Sequence, residues 1–180
     1  MPFDRNDYVA GVFRICFVCT GNICRSPMAE TVFSELVTRA GLDRAIAVSS
    51  AGTGDWHVGE KSDERTVTTL AAKGYDGSKH RARQFDPDWF DSLDLVIAFD
   101  RSHERILKEW ATNERDRSKV HLLLSFDKTQ SGQQDVPDPY YSDPAFFDHV
   151  LSMVESATSA LFDQIRPGIN QAGINQGATS

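Results

Sequence analysis

The sequence predicts an α/β fold, a three-layer open twisted sheet of four parallel strands with helices on both faces. Two observations lead to this prediction. Short apolar runs alternate along the chain with segments whose apolar residues recur at helical spacing, and strands that alternate with helices form parallel sheets with right-handed crossovers. The chain has 180 residues, of which 40% are hydrophobic, so we expect one domain with one substantial core.

The first strand and helix enclose the most informative loop of the chain. Residues 13–18 read FRICFV, a largely apolar run that is typical of a strand covered on both faces. Ser26 and Pro27 have the pattern of an N-cap followed by proline at the first helical position. Apolar residues then recur at helical spacing as far as Gly41. The pattern predicts a strand, a loop and a helix that starts after Ser26.

The same alternation continues through the rest of the chain. A long loop is expected over residues 125–144, and the clearest helical periodicity follows it, over residues 147–165, with the helix ending before Pro167. The other predicted elements are a strand over 46–48, a helix over about 63–73, a strand over 95–99, a helix around 106–110 and a strand over 120–124.

Both ends of the chain read as tails around a domain over residues 13–166. Residues 1–12 are polar, and residues 167–180 contain a Gly-Ile-Asn-Gln unit twice without large apolar side chains that could build a core. We therefore predict an N-terminal tail over 1–12 and a disordered C-terminal tail over 167–180.

Composition excludes several classes of function. A net charge of −7 argues against a nucleic-acid surface, which needs clustered Lys and Arg. No run has the length of a membrane span or a signal peptide, so we expect a cytoplasmic protein without a membrane partner. The histidines, at positions 57, 80, 103, 121 and 149, lack the spacing of metal ligands, and we expect neither a metal nor a cofactor.

Three cysteines lie within nine positions of the chain. Cys16, Cys19 and Cys24 are an odd, clustered set, which is a poor disulfide framework and fits catalysis or redox chemistry better. Cys16 falls inside the first predicted strand, where a small buried side chain is the favoured interpretation. Cys19 and Cys24 fall in the loop that follows.

This loop, residues 19–26, has the features of an anion site. Backbone N–H groups of a loop that turns into a helix lack partners, and the helix dipole adds positive charge there. Gly21 allows close approach, and the positive field favours the thiolate form of Cys19. Arg25 offers a planar fork for two phosphoryl oxygens, and the Ser26 hydroxyl can donate to the thiolate while it caps the helix.

Phosphoryl transfer through a cysteine also needs a general acid. Asp138 lies between two prolines in the long loop, which stiffens its backbone, but Asp135 and Asp143 are rivals on sequence alone. Asp100, after the third strand, could orient Arg25 or cap the next helix. Aromatic side chains in loops at strand ends could wall a pocket for a flat aryl phosphate; they are Trp56, Tyr140 and Tyr141.

Three stretches resemble the hallmarks of the low-molecular-weight protein tyrosine phosphatases, and specifically their bacterial branch. They read VCTGNICRSP at residues 18–27, SAGTGDWHVG at 50–59 and DPYY at 138–141, and the likeness covers about residues 13–165. The resemblance implies hydrolysis of protein phosphotyrosine through a phosphocysteine, with Cys19 as nucleophile, Arg25 as phosphate clamp and Asp138 as general acid and base. The implied phosphate-binding loop and its hydrogen-bond network are Thr20, Gly21, Asn22, Ile23, Cys24, Ser26 and Ser50.

The sequence is also compared with the requirements of three other functions. An arsenate reductase can share this loop but needs further cysteines, and no cysteine follows Cys24. A phosphocysteine carrier needs neither Arg25 nor Asp138. A non-catalytic phosphotyrosine binder does not need the intact set of Cys19, Arg25 and Asp138.

The expected partners are phosphotyrosine proteins and a tyrosine kinase that could act on Tyr140 and Tyr141. We expect a monomer, and a Cys19–Cys24 disulfide could protect the thiolate. Signal-less export, known in the bacterial branch, has no support in this sequence.

Overall fold

The structure is a computed structural model that describes residues 11–177, with side chains described as far as residue 170. Its sheet has four strands, all parallel, in the order β2-β1-β3-β4. The predicted α/β class and the four-stranded parallel sheet are therefore confirmed. The strands are β1 (Phe13–Cys19), β2 (Ile46–Gly52), β3 (Leu95–Ala98) and β4 (Val120–Leu122).

Five α-helices connect and cover these strands within residues 11–177. The predicted strand over 120–124 is too long, because Leu123–Phe126 forms a 3₁₀ turn. Further 3₁₀ turns span Pro87–Asp91 and Lys128–Gln130. The helices are α1 (Arg25–Arg39), α2 (Glu64–Ala72), α3 (Arg101–Trp110), α4 (Glu114–Arg117) and α5 (Pro144–Gly177).

Two apolar clusters sandwich the sheet, because successive residues of β1 point to opposite faces. Ile15 and Phe17 pack in the cluster that contains buried residues of α1 and α5. Cys16 and Val18 pack in the other cluster, with Leu107 of α3. Burial raises the pKa of the Cys16 thiol to about 12, so Cys16 is a core residue as predicted.

The last helix extends further than its periodicity predicts. Helix α5 contains Pro167 and continues to Gly177, so the predicted end before Pro167 is wrong, and the predicted disordered tail is helical as far as Gly177. An interior proline removes one backbone donor and crowds the carbonyl four residues back, at a cost of about 3 kcal/mol. The partly buried Ile165 and Ile169 on either side both pack against the core, which favours continuation.

Parts of both predicted tails lie outside the described residues, namely residues 1–10 and 178–180. A search of the described part of the chain finds no helix that is both long enough and apolar enough to cross a membrane.

Candidate active site

The predicted loop leaves the sheet at the carboxyl end of β1, where it lies against the end of β2. Cys19, the last residue of β1, is paired in register with Gly52 and is 3% exposed. The carbonyl of Cys19 accepts from Thr53 N at 2.8 Å. A Cβ at Gly52 would lie 2.6 Å from the Thr20 carbonyl oxygen, so glycine is required for the loop to approach β2 this closely.

Asn22 holds the loop in its bent conformation from inside. Its φ is +57°, a left-handed conformation that asparagine tolerates better than most residues. The side chain is fully buried, and its amide nitrogen donates to the Ser26 hydroxyl at 2.8 Å and to the Ser50 hydroxyl at 2.9 Å. Its amide oxygen accepts from Arg83 N at 2.9 Å. The amide thus uses its donors and its acceptor within the protein.

Beneath Asn22, the predicted Ser50 joins two residues, Glu30 and His80, whose contacts with the loop the sequence analysis missed. Ser50 donates to the Glu30 carboxylate in a short hydrogen bond, and His80 Nε2 donates to the Asn22 carbonyl at 2.7 Å. His80 Nδ1 lies 3.4 Å from Glu30 Oε2. Burial acts to raise the pKa of Glu30, but the contacts with His80 and Ser50 outweigh burial and hold this pKa below its ordinary value of 4.5.

The Ser26 side chain contacts the Cys19 thiol and does not cap the helix. Helix α1 begins at Arg25 with Cys24 in the N-cap position, and no side chain caps it, so the predicted N-cap at Ser26 is wrong. The Ser26 hydroxyl lies 2.9 Å from Cys19 Sγ and 3.3 Å from the Ala51 carbonyl. A serine in the first turn can point inward as well as cap, and here the buried amide of the loop draws it inward.

Arg25 is buried at the start of α1 and is held from several sides. It is 3% exposed, and its Nη1 donates to Asp100 Oδ2 at 2.9 Å and to the Val136 carbonyl at 3.1 Å. Its Nη2 lies 3.4 Å from both Thr20 Oγ1 and Asp138 Oδ2. The guanidinium therefore faces the loop and the predicted general acid at the same time.

Asp100 takes both of the roles that the sequence left open. Its Oδ2 binds Arg25, and its Oδ1 accepts from His103 N at 3.0 Å, which caps α3. The His103 ring is 1% exposed, with Nε2 2.7 Å from Thr20 Oγ1. Burial, and then the charge of Arg25, lower the pKa of His103 to about 4, so the ring is neutral at physiological pH.

Asp138 reaches the site from the long loop after β4. Its side chain is 48% exposed and its Oδ2 lies 3.4 Å from Arg25 Nη2. Its Oδ1 accepts from Tyr140 N at 3.1 Å, which orients the carboxylate within its turn. Asp138 also lines the cavity that contains Cys19.

The two rival aspartates are occupied elsewhere. Asp135 binds Arg101, with an Nη2–Oδ2 distance of 2.9 Å, and hydrogen bonds from Arg101 lower the pKa of Asp135. Asp143 accepts from Phe146 N at 3.0 Å beside the start of α5. Neither residue lines the cavity above Cys19, whereas Asp138 does.

Arg65, which the sequence analysis missed, ties the Asp138 loop to the phosphate loop. Its Nη1 donates to the Ser142 carbonyl at 3.0 Å and its Nη2 to the Tyr140 carbonyl at 2.9 Å. Its Nε donates to Asp63 Oδ1 at 2.9 Å, and Asp63 N donates to the Ile23 carbonyl at 2.9 Å. These bonds fix the two loops relative to each other.

The cavity above Cys19 has a volume of about 420 Å³ and an aromatic mouth. Trp56 is 70% exposed and Tyr141 is 94% exposed, and the rings of Tyr140 and Tyr141 meet edge to face at 4.9 Å. The structure thus brings all three predicted rim residues to one opening. The lining residues are Cys19, Thr20, Gly21, Ile23, Cys24, Arg25, Trp56, His57, Asp138, Tyr140 and Tyr141.

A larger cavity, about 810 Å³, lies between α1 and the 75–83 segment. Glu30 and His80 reach it from behind the loop, but no cysteine lines it. The smaller cavity is the candidate active site because the thiol, the guanidinium and Asp138 converge there.

All three cysteines are free thiols. Burial raises the pKa of Cys24 to about 12, so Cys24 is an uncharged thiol in the same cavity as Cys19.

A buried thiol at the end of a parallel strand, followed by an anion loop and a clamped arginine, defines the class of cysteine-dependent phosphatases. Comparison with known proteins gives the family. The sequence profile described as "Low molecular weight phosphotyrosine protein phosphatase" matches residues 14–170, and the chain belongs to this family.

Relatives and a solved structure agree with this assignment. A "Low molecular weight protein-tyrosine-phosphatase" of Streptomyces coelicolor is 52% identical over 155 residues, which covers 86% of this chain and 94% of the relative. "Low molecular weight protein-tyrosine phosphatase A" of Mycobacterium tuberculosis is 43% identical, covering 84% and 90%. The crystal structure of YfkJ from Bacillus subtilis superposes with a TM-score of 0.82 at 34% identity, covering 89% and 99%. The resemblance to the bacterial branch is confirmed.

Proposed function

We propose that this protein hydrolyses protein phosphotyrosine through a phosphocysteine intermediate. The observation that carries the proposal is the convergence of Cys19, Arg25 and Asp138 on one cavity with an aromatic mouth. The nucleophile, the oxyanion clamp and the proton donor of a two-step phosphoryl transfer are all present in that cavity.

In the first step, the Cys19 thiolate attacks phosphorus opposite the tyrosine oxygen. An S–P bond forms, the P–O bond to tyrosine breaks, and Asp138 donates its proton to the leaving phenolate oxygen. Arg25 and the loop N–H groups bind the equatorial oxygens as the transition state develops. The Ser26 hydroxyl, 2.9 Å from Sγ, donates to the thiolate before attack.

In the second step, a water molecule releases the phosphate. Asp138, now a carboxylate, takes a proton from the water, whose oxygen forms a bond to phosphorus as the S–P bond breaks. The electron pair of that bond returns to Cys19 as a thiolate, which the hydrogen bond from Ser26 stabilises. Inorganic phosphate leaves, and Asp138 is protonated for the next cycle.

The nucleophile is tested with Cys19→Ser. We expect this variant to lose measurable turnover of an aryl phosphate, because a serine hydroxyl is not ionised at neutral pH, while inorganic phosphate still binds in calorimetry. Cys16→Ala is the matched control, since Cys16 packs on a core face of the same strand, and should retain turnover. Full activity of Cys19→Ser would refute the scheme.

We infer the substrate class from the aromatic residues at the mouth of the cavity. A phenyl ring can pack against Trp56 and Tyr140 at the cavity mouth, whereas phosphoserine has no ring to make these contacts. Steady-state hydrolysis of matched phosphotyrosine, phosphoserine and phosphoarginine peptides measures this selectivity. We expect phosphotyrosine to have the highest kcat/KM, and a preference for either other peptide would reassign the substrate.

Two regulatory proposals attach to the same site. Cys24 lines the cavity with Cys19. We propose that a peroxide oxidises Cys19 to a sulfenic acid and that the Cys24 thiol then attacks this sulfur, which forms a disulfide and releases water. The disulfide protects the nucleophile, and external thiols reduce it again. We also propose that a tyrosine kinase modifies Tyr141, which is 94% exposed, in preference to the partly buried Tyr140. A phosphate there would place negative charge at the mouth of an anion site. Mass spectrometry after oxidation or kinase treatment tests each proposal.

We further propose that the enzyme acts as a monomer in the cytoplasm. A single chain supplies every group of the site, which supports a monomer. Unpaired cysteines suit a reducing compartment. Size-exclusion chromatography with light scattering measures the oligomeric state.

A further inference from the structure

Three side chains form a polar chain beside the phosphate loop, with the buried His103 between two partly buried residues. The carboxylate of Asp100 lies at one end, the imidazole of His103 in the middle and the hydroxyl of Thr20 at the other end. His103 Nδ1 is 3.2 Å from Asp100 Oδ1, and Nε2 is 2.7 Å from Thr20 Oγ1. The chain therefore joins the N-terminus of α3 to the first residue after the nucleophile.

The surroundings determine which ring nitrogen carries the proton. A proton on Nε2 would leave the Nδ1 lone pair facing a carboxylate oxygen at 3.2 Å, which is electrostatically unfavourable. A proton on Nδ1 faces that negative charge instead, although Nδ1 is not aligned for a hydrogen bond and has no other partner among the described residues. We therefore place the proton on Nδ1 and the lone pair on Nε2.

This tautomer determines the orientation of the Thr20 hydroxyl. With Nε2 as acceptor, Thr20 must donate its only hydroxyl proton to His103, which turns its lone pairs towards Arg25 Nη2 at 3.4 Å. Asp100 meanwhile holds Arg25 Nη1 at 2.9 Å. Through Asp100 and Thr20, the polar chain thus contacts both terminal nitrogens of the guanidinium.

We propose that His103 is a positioning residue, whose Nε2 accepts the Thr20 hydroxyl proton and so holds Thr20 and Arg25 in the orientation that binds the phosphoryl oxygens. This inference rests on the proposed phosphatase function. The ring has to be neutral for the role, because an imidazolium would have no acceptor for Thr20 and would repel Arg25. Burial meets that requirement, since the ring is 1% exposed.

Two amide variants separate the two ends of the ring. Asn places a polar group near Nδ1 and cannot reach Thr20, whereas Gln places one near Nε2. We expect His103→Asn to lower kcat/KM for an aryl phosphate by roughly 10- to 100-fold, the scale of a misplaced catalytic group. We expect His103→Gln to recover most of that loss. His121→Asn, an exposed histidine that contacts the Ser118 carbonyl, is the matched control and should keep wild-type kinetics.

A double-mutant cycle tests the contact itself. Thr20→Val removes the hydroxyl, and His103→Asn removes its partner, so the double variant should be no worse than the more damaged single variant. Fully additive losses, or wild-type kinetics for His103→Asn, would overturn the inference. If His103→Asn fails to fold, the tautomer of His103 in the wild-type protein still tests the inference.

A spectroscopic measurement is independent of turnover. Nitrogen-15 NMR of the His103 ring in the wild-type protein should show a protonated Nδ1 and an unprotonated Nε2, and the opposite tautomer would contradict the proposal. Failure of the proposed function is distinguishable, because the wild-type protein itself would then lack phosphatase activity whatever the His103 tautomer.

Discussion

The base and the mouth of the active site are built in opposite ways. The base, which we define as Asn22, Ser26, Ser50, Glu30 and His80, is joined by hydrogen bonds of defined direction. Its first three residues are buried, and Glu30 and His80 are partly buried. The mouth, which we define as Trp56, Asp138, Tyr140 and Tyr141, is largely open to solvent. We infer that the base holds the anion-binding loop in a fixed conformation and that the mouth selects the leaving group.

Physical chemistry explains why the two regions differ. Loop dipoles stabilise a transition state best when they need no reorganisation during the reaction, and buried polar groups stay in place because breaking their bonds leaves them unsatisfied. The mouth has to admit a protein segment and release a product, so exposed aromatic rings with few hydrogen bonds are suited to it.

The largest expected effect among the mouth residues is that of Asp138→Asn. An amide cannot donate a proton to the leaving oxygen, so we expect kcat for a phosphotyrosine peptide to fall by about 10²- to 10⁴-fold, the usual scale of general acid catalysis. Inorganic phosphate should still inhibit, since the base is unchanged. Asp135→Asn is the matched control and should keep the wild-type kcat. A loss of this size in Asp135→Asn, with a normal kcat in Asp138→Asn, would identify Asp135 as the general acid.

A substitution in the base should act on stability as well as on rate. The pKa of Glu30 is held below 4.5 in the folded protein, so the folded state gains stability from the ionised carboxylate above the unfolded pKa. That stability is lost as the pH falls through the lower, folded pKa. We expect the melting temperature of Glu30→Gln to depend less steeply on pH below about 4.5 than that of the wild type.

A control on the same helix makes this measurement specific. Glu35 is an exposed residue that pairs with Arg39 at 2.8 Å, so Glu35→Gln should follow the wild-type pH dependence. If the melting temperatures of Glu30→Gln and the wild type depended identically on pH, the ionised Glu30 carboxylate would not stabilise the folded protein.

The smallest expected effect concerns the rim. Trp56→Ala should raise KM for a phosphotyrosine peptide by roughly 2- to 10-fold, the equivalent of one aromatic contact of about 0.5–1.5 kcal/mol. The inhibition constant of inorganic phosphate should not change, since phosphate binds to Arg25 and the N–H groups of the loop and not to the aromatic rim. A change in phosphate affinity as large as the change in KM would show that the rim and the base are not separable.

The sequence alone predicted those features that depend on residues close together in the chain. Alternating apolar runs predicted the four parallel strands, because hydrophobic periodicity reports directly on which face is buried. The segment from Cys19 to Arg25 predicted an anion site, because a strand, a loop and a helix start are consecutive in the chain. The positions of Trp56 and Tyr141 at one opening followed from the rule that parallel strands end at the same edge.

Only the tertiary structure could decide the partners of these residues. Glu30, His80 and His103 support the loop from positions distant in sequence, and no spacing predicts a contact between His103 and Thr20, which are 83 residues apart. Long-range packing also kept α5 helical through Pro167 and turned the Ser26 hydroxyl towards Cys19. The physical reason is the same in each case, since a local pattern specifies the backbone whereas the partners of a buried polar side chain depend on which distant segments fold against it.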